Sequence, residues 1–172
     1  MGLFGSAAEL IAVAPNRSKD AALQRLSAEN FLARGDIGGA CADSRRQDQR
    51  LGELFWQQLL IYCQAVQGDT SGAALGANLL AETGQLNDPL FFSLIDGLVS
   101  GNAVTVDSIA KPTPILLSLM RTANVPIPVD AVDQAMPSLL GMIAASPNTP
   151  IEIRLAAAER GALYGAITAE RL

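Results

Sequence analysis

The residue types that most often carry catalysis or bind metals are scarce in this chain. Histidine is absent from all 172 residues. Its absence removes the commonest general base, the usual partner of a serine or cysteine nucleophile, and a common zinc and haem ligand. Cysteine occurs twice, at Cys41 and Cys63. We therefore expect a protein that is not an enzyme and that holds neither a metal ion nor a cofactor.

The two cysteines could form a covalent bond with each other. Their spacing is not that of a C-x-x-C redox motif, and no further cysteine or histidine completes a zinc site around them. Cys41 and Cys63 lie on successive predicted helices, so their Cα atoms can come within about 6 Å of each other. A disulfide bond and two buried free thiols both fit this placement. The bond would predict a periplasmic or otherwise exported protein, because disulfides persist in oxidising compartments.

The charged residues exclude one class of partner. Twelve basic and seventeen acidic residues give a net charge of −5, and residues 51–110 contain no Lys or Arg. A nucleic-acid groove needs clustered basic residues and exposed aromatic residues, so we expect no nucleic-acid partner. The densest basic group is Arg45, Arg46 and Arg50. It is either a contact surface for an acidic partner or a solvated loop and helix cap.

Two further pairs of residues have both a functional and a structural interpretation. Asp130 and Asp133 could be paired acids, but no nucleophile lies near them in the sequence, which favours solvated surface residues. Trp56 and Tyr62 could line a ligand groove. Their helical spacing instead favours the core.

Hydrophobic periodicity predicts the fold class. Apolar residues recur at three- and four-residue spacing in segments of about 10 to 17 residues, and alternating patterns are nearly absent. Asp-Pro at residues 88–89 and Thr-Pro at 113–114 are typical helix starts, and Thr-Pro-Ile-Glu at 149–152 combines such a start with a capping box. The sequence predicts an all-α array of short antiparallel helix hairpins. The predicted helices span residues 18–34, 37–46, 51–67, 70–84, 88–98, 113–124, 137–145 and 149–165.

The ends of the chain suggest how the array is organised. We expect a single helical-repeat domain over residues 1–172, with an irregular or short helical lead-in over 1–17. Leu155, Leu163 and Ile167 are apolar near the C-terminus, where a solenoid needs a polar cap. We therefore expect a piece of a longer solenoid, with an apolar end that further chain or a homodimer partner covers. No segment is apolar for the roughly 18 residues that a transmembrane helix needs.

One hairpin carries a family resemblance. Residues 56–84 consist of an aromatic-led helix, a Gly-Asp turn at 68–69, and a second helix with Ala73 and Ala77 at small-residue positions. Another Gly-Asp break occurs 33 residues earlier, close to the period of helix-hairpin repeats. The chain thus resembles a degenerate tetratricopeptide-like α-solenoid. More loosely, it resembles uncharacterised, alanine-rich exported helical proteins of alphaproteobacteria, a resemblance that implies no activity.

Three functions fit these features. We expect a non-enzymatic protein-interaction or scaffold module with a protein partner, because stacked hairpins leave extended faces. An alternative is the helical non-catalytic portion of a larger cell-envelope enzyme, such as a lytic transglycosylase. The third is a carrier of a small apolar ligand, which would require an apolar cavity of hundreds of cubic ångströms.

Overall fold

The computed structural model describes residues 9–14, 20–46 and 53–167. These ranges contain no strand, so the all-α prediction is confirmed. Residues 9–13 form a short helical segment. The longer helices are α1 (Ala21–Arg34), α2 (Ile37–Arg46), α3 (Leu54–Val66), α4 (Thr70–Glu82), α5 (Pro89–Ser100), α6 (Pro114–Thr122), α7 (Asp130–Gln134), α8 (Pro137–Ala144) and α9 (Ile151–Leu163).

Capping side chains explain where several of these helices begin. Asp88 accepts a hydrogen bond from the Phe91 N–H at 3.1 Å and begins α5 as predicted. Thr113 does the same for α6, accepting from the N–H of the third residue after it at 3.2 Å. Each is followed by proline, whose missing N–H costs nothing in the first helical turn. The predicted cap of the first helix, Ser18, lies outside the described residues, and Asp20 caps α1.

The predicted capping box at Thr149 is wrong. Helix α9 begins at Ile151 with Pro150 in the N-cap position and no side-chain cap. The Thr149 hydroxyl instead accepts a hydrogen bond from the Ile127 N–H at 3.1 Å. Thr149 is buried, and its hydroxyl pairs with the segment between α6 and α7 rather than with its own helix.

Helices that follow each other pack together, and two distant parts of the chain also meet. The pairs α1–α2, α3–α4 and α8–α9 are in contact, but these contacts alone do not confirm the predicted array of hairpins. Helix α1 also packs against α6 and α8, and α3 packs against α5 and α6. In a solenoid each repeat contacts only its neighbours. The solenoid arrangement is therefore not confirmed, and the helices share one core.

The two cysteines join α2 to α3 at the centre of the N-terminal half. Their sulfur atoms lie at disulfide distance, and their Cα atoms are 5.6 Å apart. Both side chains are buried. The prediction that successive helices bring Cys41 and Cys63 together is confirmed.

Tyr62 connects α3 to α6 inside the core. Its hydroxyl lies 2.7 Å from Thr122 Oγ1 and donates weakly toward the Ser118 carbonyl at 3.3 Å. Burial raises the pKa of the Tyr62 phenol, although the Thr122 hydrogen bond and the nearby Arg121 charge act in the opposite direction. Tyr62 and Trp56 are both buried, as their spacing predicted.

None of the helices in the described ranges has the length and apolar character needed to cross a bilayer.

Candidate functional site

A groove of about 660 Å³ lies where α1, α3, α6 and α8 meet. This volume is within the range of about 300 to 1,000 Å³ that is typical of ligand sites. The groove exists because α1 packs against α6 and α8, helices that follow it by about 80 and 100 residues in sequence. It is lined by Arg25, Leu26, Glu29, Asn30, Glu53, Leu54, Phe55, Gln58, Pro112, Thr113, Pro114, Ile115, Met136, Ser138 and Leu139.

Three of the four helices begin at this groove. Lining residues Leu54, Ile115 and Ser138 each lie in the first turn of their helix, namely α3, α6 and α8. First-turn N–H groups have no acceptor within their own helix. Several of these groups are already bonded here: the Leu116 N–H donates to the Thr113 hydroxyl, and the Leu139 N–H donates to the Met136 carbonyl.

The apolar lining has a buried floor and an exposed rim. Phe55, Ile115 and Leu139 are buried in the floor. Leu26 and Met136 lie on the rim, with exposed fractions of 45% and 63%. Methionine adapts its shape readily to a partner surface. Exposed apolar side chains at the mouth of a groove are typical of a binding site rather than of a sealed core.

The polar lining is organised around Arg25. Its Nε donates to Glu29 Oε1 at 3.0 Å, and its guanidinium carbon lies 4.9 Å from the centre of the Phe55 ring. The carboxylate neutralises the Arg25 charge, and the ring contact holds the guanidinium against the apolar wall. Glu53 adds a further exposed carboxylate at the start of α3. The charged side chains of the groove therefore include no unneutralised cation.

The basic residues predicted from sequence lie elsewhere. Arg45 and Arg46 are exposed at the end of α2, and neither lines the groove. Arg46 pairs with Asp43 at 3.2 Å, and the Asp43 carboxylate also accepts from the Ser27 hydroxyl at 2.9 Å. Arg50 lies outside the described residues. Their role as a contact surface stays a prediction.

The two acids of α7 bond to different segments of the chain. Asp130 accepts hydrogen bonds from the Ser108 hydroxyl at 2.5 Å and the Ile109 N–H at 3.1 Å. Asp133 forms an ion pair with Arg160 on α9. Across the described ranges, no cluster of three or more Cys, Asp and Glu side chains is placed to hold a metal ion.

The C-terminal apolar residues form a separate exposed surface on α9. Leu155 and Leu163 have exposed fractions of 51% and 86%, while Ile167 is partly buried. That further chain or a second copy covers this surface stays a prediction.

Sequence reasoning missed the groove residues. Phe55 has the helical spacing of a core residue and is indeed buried, so its second role at the groove leaves no signal. Met136 comes before a proline, which indicates a helix start and nothing about a neighbouring helix. Only the long-range packing of α1 brings these side chains together.

Comparison with protein-family models, with curated proteins and with solved structures finds no match to this chain. The resemblance to tetratricopeptide solenoids is therefore untested.

Proposed function

We propose that this protein is a non-enzymatic binding module whose groove holds a short apolar segment of a protein partner. The observation that carries the proposal is the groove itself, with its buried aromatic floor and its exposed Leu26 and Met136 rim. Interfaces concentrate their binding energy in apolar and aromatic anchors that become desolvated, surrounded by a polar rim.

A peptide fits the mixed lining better than a hydrocarbon does. The groove is partly open to solvent, so a chain can enter and leave it. Because Glu29 already neutralises Arg25, and Glu53 adds a negative charge, we expect the bound segment to lack acidic residues.

The polar side chains of the groove support binding rather than catalysis. Its two hydroxyl groups belong to Thr113 and Ser138. The Thr113 hydroxyl is committed to capping α6. The described residues place no general base in hydrogen-bond contact with Ser138, and a hydroxyl nucleophile requires such a base.

A peptide-selection experiment tests this function. A displayed library of random short peptides is selected on the immobilised full-length protein, and an enriched peptide is then synthesised and titrated by calorimetry. We expect enrichment of apolar peptides without acidic residues. Failure to enrich any peptide that binds the free protein would contradict the proposal.

Three variants locate the bound peptide. Leu26→Asp and Met136→Asp place a charge at the rim, and each should weaken binding at least about tenfold, or about 1.4 kcal/mol. Aspartate at position 136 falls on an N-cap, where it favours the helix, so folding is preserved. Leu75→Asp on α4 is the control, since Leu75 is similarly exposed and does not line the groove. Equal loss in all three variants would count against the groove.

The volume of the groove also supports a second candidate, a carrier of a small apolar ligand. The fluorescent probe N-phenyl-1-naphthylamine would then bind to the protein and be lost in Leu26→Asp. Probe binding of this kind, combined with no enriched peptide, would favour the carrier over the peptide-binding module.

We also propose that the protein works in an oxidising compartment such as the periplasm. The placement of Cys41 and Cys63 at disulfide distance supports this proposal. Thiol titration of the denatured, non-reduced protein should find no free sulfhydryl groups. Two free groups would remove the support for export.

A further inference from the structure

The long connection between α5 and α6 is tied to α7 at one polar point. Residues 101–113 contain no helix or strand and are mostly exposed. Near their end, Asp130 accepts the Ser108 hydroxyl at 2.5 Å and the Ile109 N–H at 3.1 Å. The Ile109 side chain is buried in the core beside this contact point.

Both segments joined by Asp130 continue into the same wall of the groove. The connection leads directly into Pro112, Thr113 and Pro114, and α7 leads into Met136 and the first turn of α8. Asp130 itself does not line the groove. Its carboxylate instead joins the two segments of chain that lead into these lining residues.

We infer that Asp130 is a positioning residue for the groove, an inference that rests on the proposed function. Its carboxylate fixes the distance between the 112–114 segment and the start of α8. Releasing Ser108 and Ile109 lets the connection move away from α7, and the wall loses its fixed spacing. Binding of a partner segment must then also order this wall, and the conformational entropy lost in doing so lowers the affinity.

The second acid of α7 provides a matched control. Asp133 lies three residues later on the same short helix, is more exposed, and pairs with Arg160 on α9 rather than with the connection. Removing the Asp133 carboxylate thus takes a charge and an ion pair from α7 without releasing residues 108–109. A general weakening of α7 would affect both variants alike.

Hydrogen exchange and peptide titration on the full chain test the inference together. In Asp130→Ala we expect the Ile109 amide to exchange about tenfold faster and the selected peptide to bind about fivefold more weakly. Asp133→Ala should leave both unchanged. Asp130→Asn keeps an acceptor for the Ile109 N–H and should restore most of the protection and affinity. Should Asp130→Ala fail to fold, Ser108→Ala removes one of the two bonds and should show the same changes at smaller size.

The outcomes separate this inference from the proposed function. Faster Ile109 exchange with unchanged peptide affinity would overturn the positioning role of Asp130 while leaving the groove as the binding site. Unchanged exchange of the Ile109 amide in Asp130→Ala would show that Asp130 does not hold the connection against α7. Absence of any peptide that binds the wild-type protein would instead contradict the proposed function.

Discussion

The two halves of the molecule are held together by different means. In the N-terminal half, α1 to α4 are 10 to 14 residues long, and a buried cysteine pair joins α2 to α3. In the C-terminal half, α6, α7 and α8 have only 9, 5 and 8 residues. Isolated helices shorter than about 12 to 15 residues are marginal in water, so both halves depend on tertiary contacts, and the short helices of the C-terminal half depend on them most.

Side chains that bond to the backbone of other segments supply those contacts in the C-terminal half. The Asn148 amide donates to the carbonyls of Met120 and Val125, and Thr149 accepts from Ile127. Arg154 on α9 donates to the Ala144 carbonyl at 2.9 Å. One half thus places two cysteines where a disulfide bond would limit its unfolded state, whereas the other half satisfies the backbone of its connecting segments through individual hydrogen bonds.

Removing the cysteine pair should have the largest effect. The double variant Cys41→Ala/Cys63→Ala opens a loop whose ends are 22 residues apart in sequence. On the chain-entropy account this costs roughly 3 kcal/mol of unfolding free energy. Urea denaturation of the variant and the wild-type protein measures the loss. A difference below about 1 kcal/mol would show that the N-terminal half does not depend on the link.

Removing the hydrogen bonds of the Asn148 side chain tests the C-terminal half. Asn148→Ala leaves the Met120 and Val125 carbonyls without their side-chain donor. Partly buried groups that lose a partner cost about 1 to 3 kcal/mol, so we expect a loss of about 2 kcal/mol in urea denaturation. Asn102→Ala in the exposed connection should cost almost nothing. Similar losses at both positions would contradict the account of this half.

The contact between the halves at Gly35 should have an intermediate effect. Gly35 ends α1 with φ +77°, and a Cβ there would lie 2.5 Å from an Arg121 guanidinium nitrogen on α6. Gly84 has φ +62° with nothing within 4 Å of its Cβ position. Gly84→Ala and Gly35→Ala should each cost about 1.5 kcal/mol from backbone strain, because the Arg121 guanidinium lies at the end of a flexible side chain and can move aside. A clearly larger cost for Gly35→Ala in thermal denaturation would show that the Arg121 contact is rigid.

The smallest effect is expected at Tyr62, which also spans the two halves. Tyr62→Phe removes its hydrogen bonds to α6 and should cost about 1 kcal/mol of unfolding free energy. Exposed Tyr164 is the control, and Tyr164→Phe should leave stability unchanged. A Tyr62→Phe loss no larger than that of Tyr164→Phe would show that the hydrogen bonds to α6 contribute nothing.

The same residue predicts a dependence on alkaline pH. Burial raises the pKa of Tyr62, so the folded protein keeps this proton to a higher pH than the unfolded chain does. The Tyr62 contribution to stability is complete below about pH 10 and is lost as the pH rises through the folded-state pKa. Urea denaturation above pH 10 should show a steeper fall for the wild-type protein than for Tyr62→Phe. Parallel plots of unfolding free energy against pH for the two proteins would contradict this dependence.

Local sequence patterns predicted the helices well, but they gave no indication of the groove. The Asp88–Pro89 and Thr113–Pro114 starts are decided by a side chain and a backbone N–H three residues apart, so sequence alone suffices. Thr149 shows the limit, because its hydroxyl bonds to Ile127, 22 residues away. Whether a capping residue caps its own helix depends on what else is buried beside it.

The site itself depends on contacts across most of the chain. Leu26 and Phe55 line the same groove as Met136 and Leu139 because α1 lies against α8. No pattern within α1 indicates its distant neighbours, since a tetratricopeptide-like array would have placed it only against α2 and the adjacent hairpin. The core residues could be predicted from periodicity, whereas the solvent-exposed rim required the packed structure.

Nuclear magnetic resonance of the labelled protein, titrated with the selected peptide, tests the central claim most directly. We predict the largest amide shift changes in residues 25–30, 53–58, 112–115 and 136–139, the segments that line the groove. Residues 151–163 of α9 and the exposed face of α4 should be unaffected. Changes concentrated on the apolar surface of α9, with the groove segments unmoved, would contradict the assignment of the groove as the binding site.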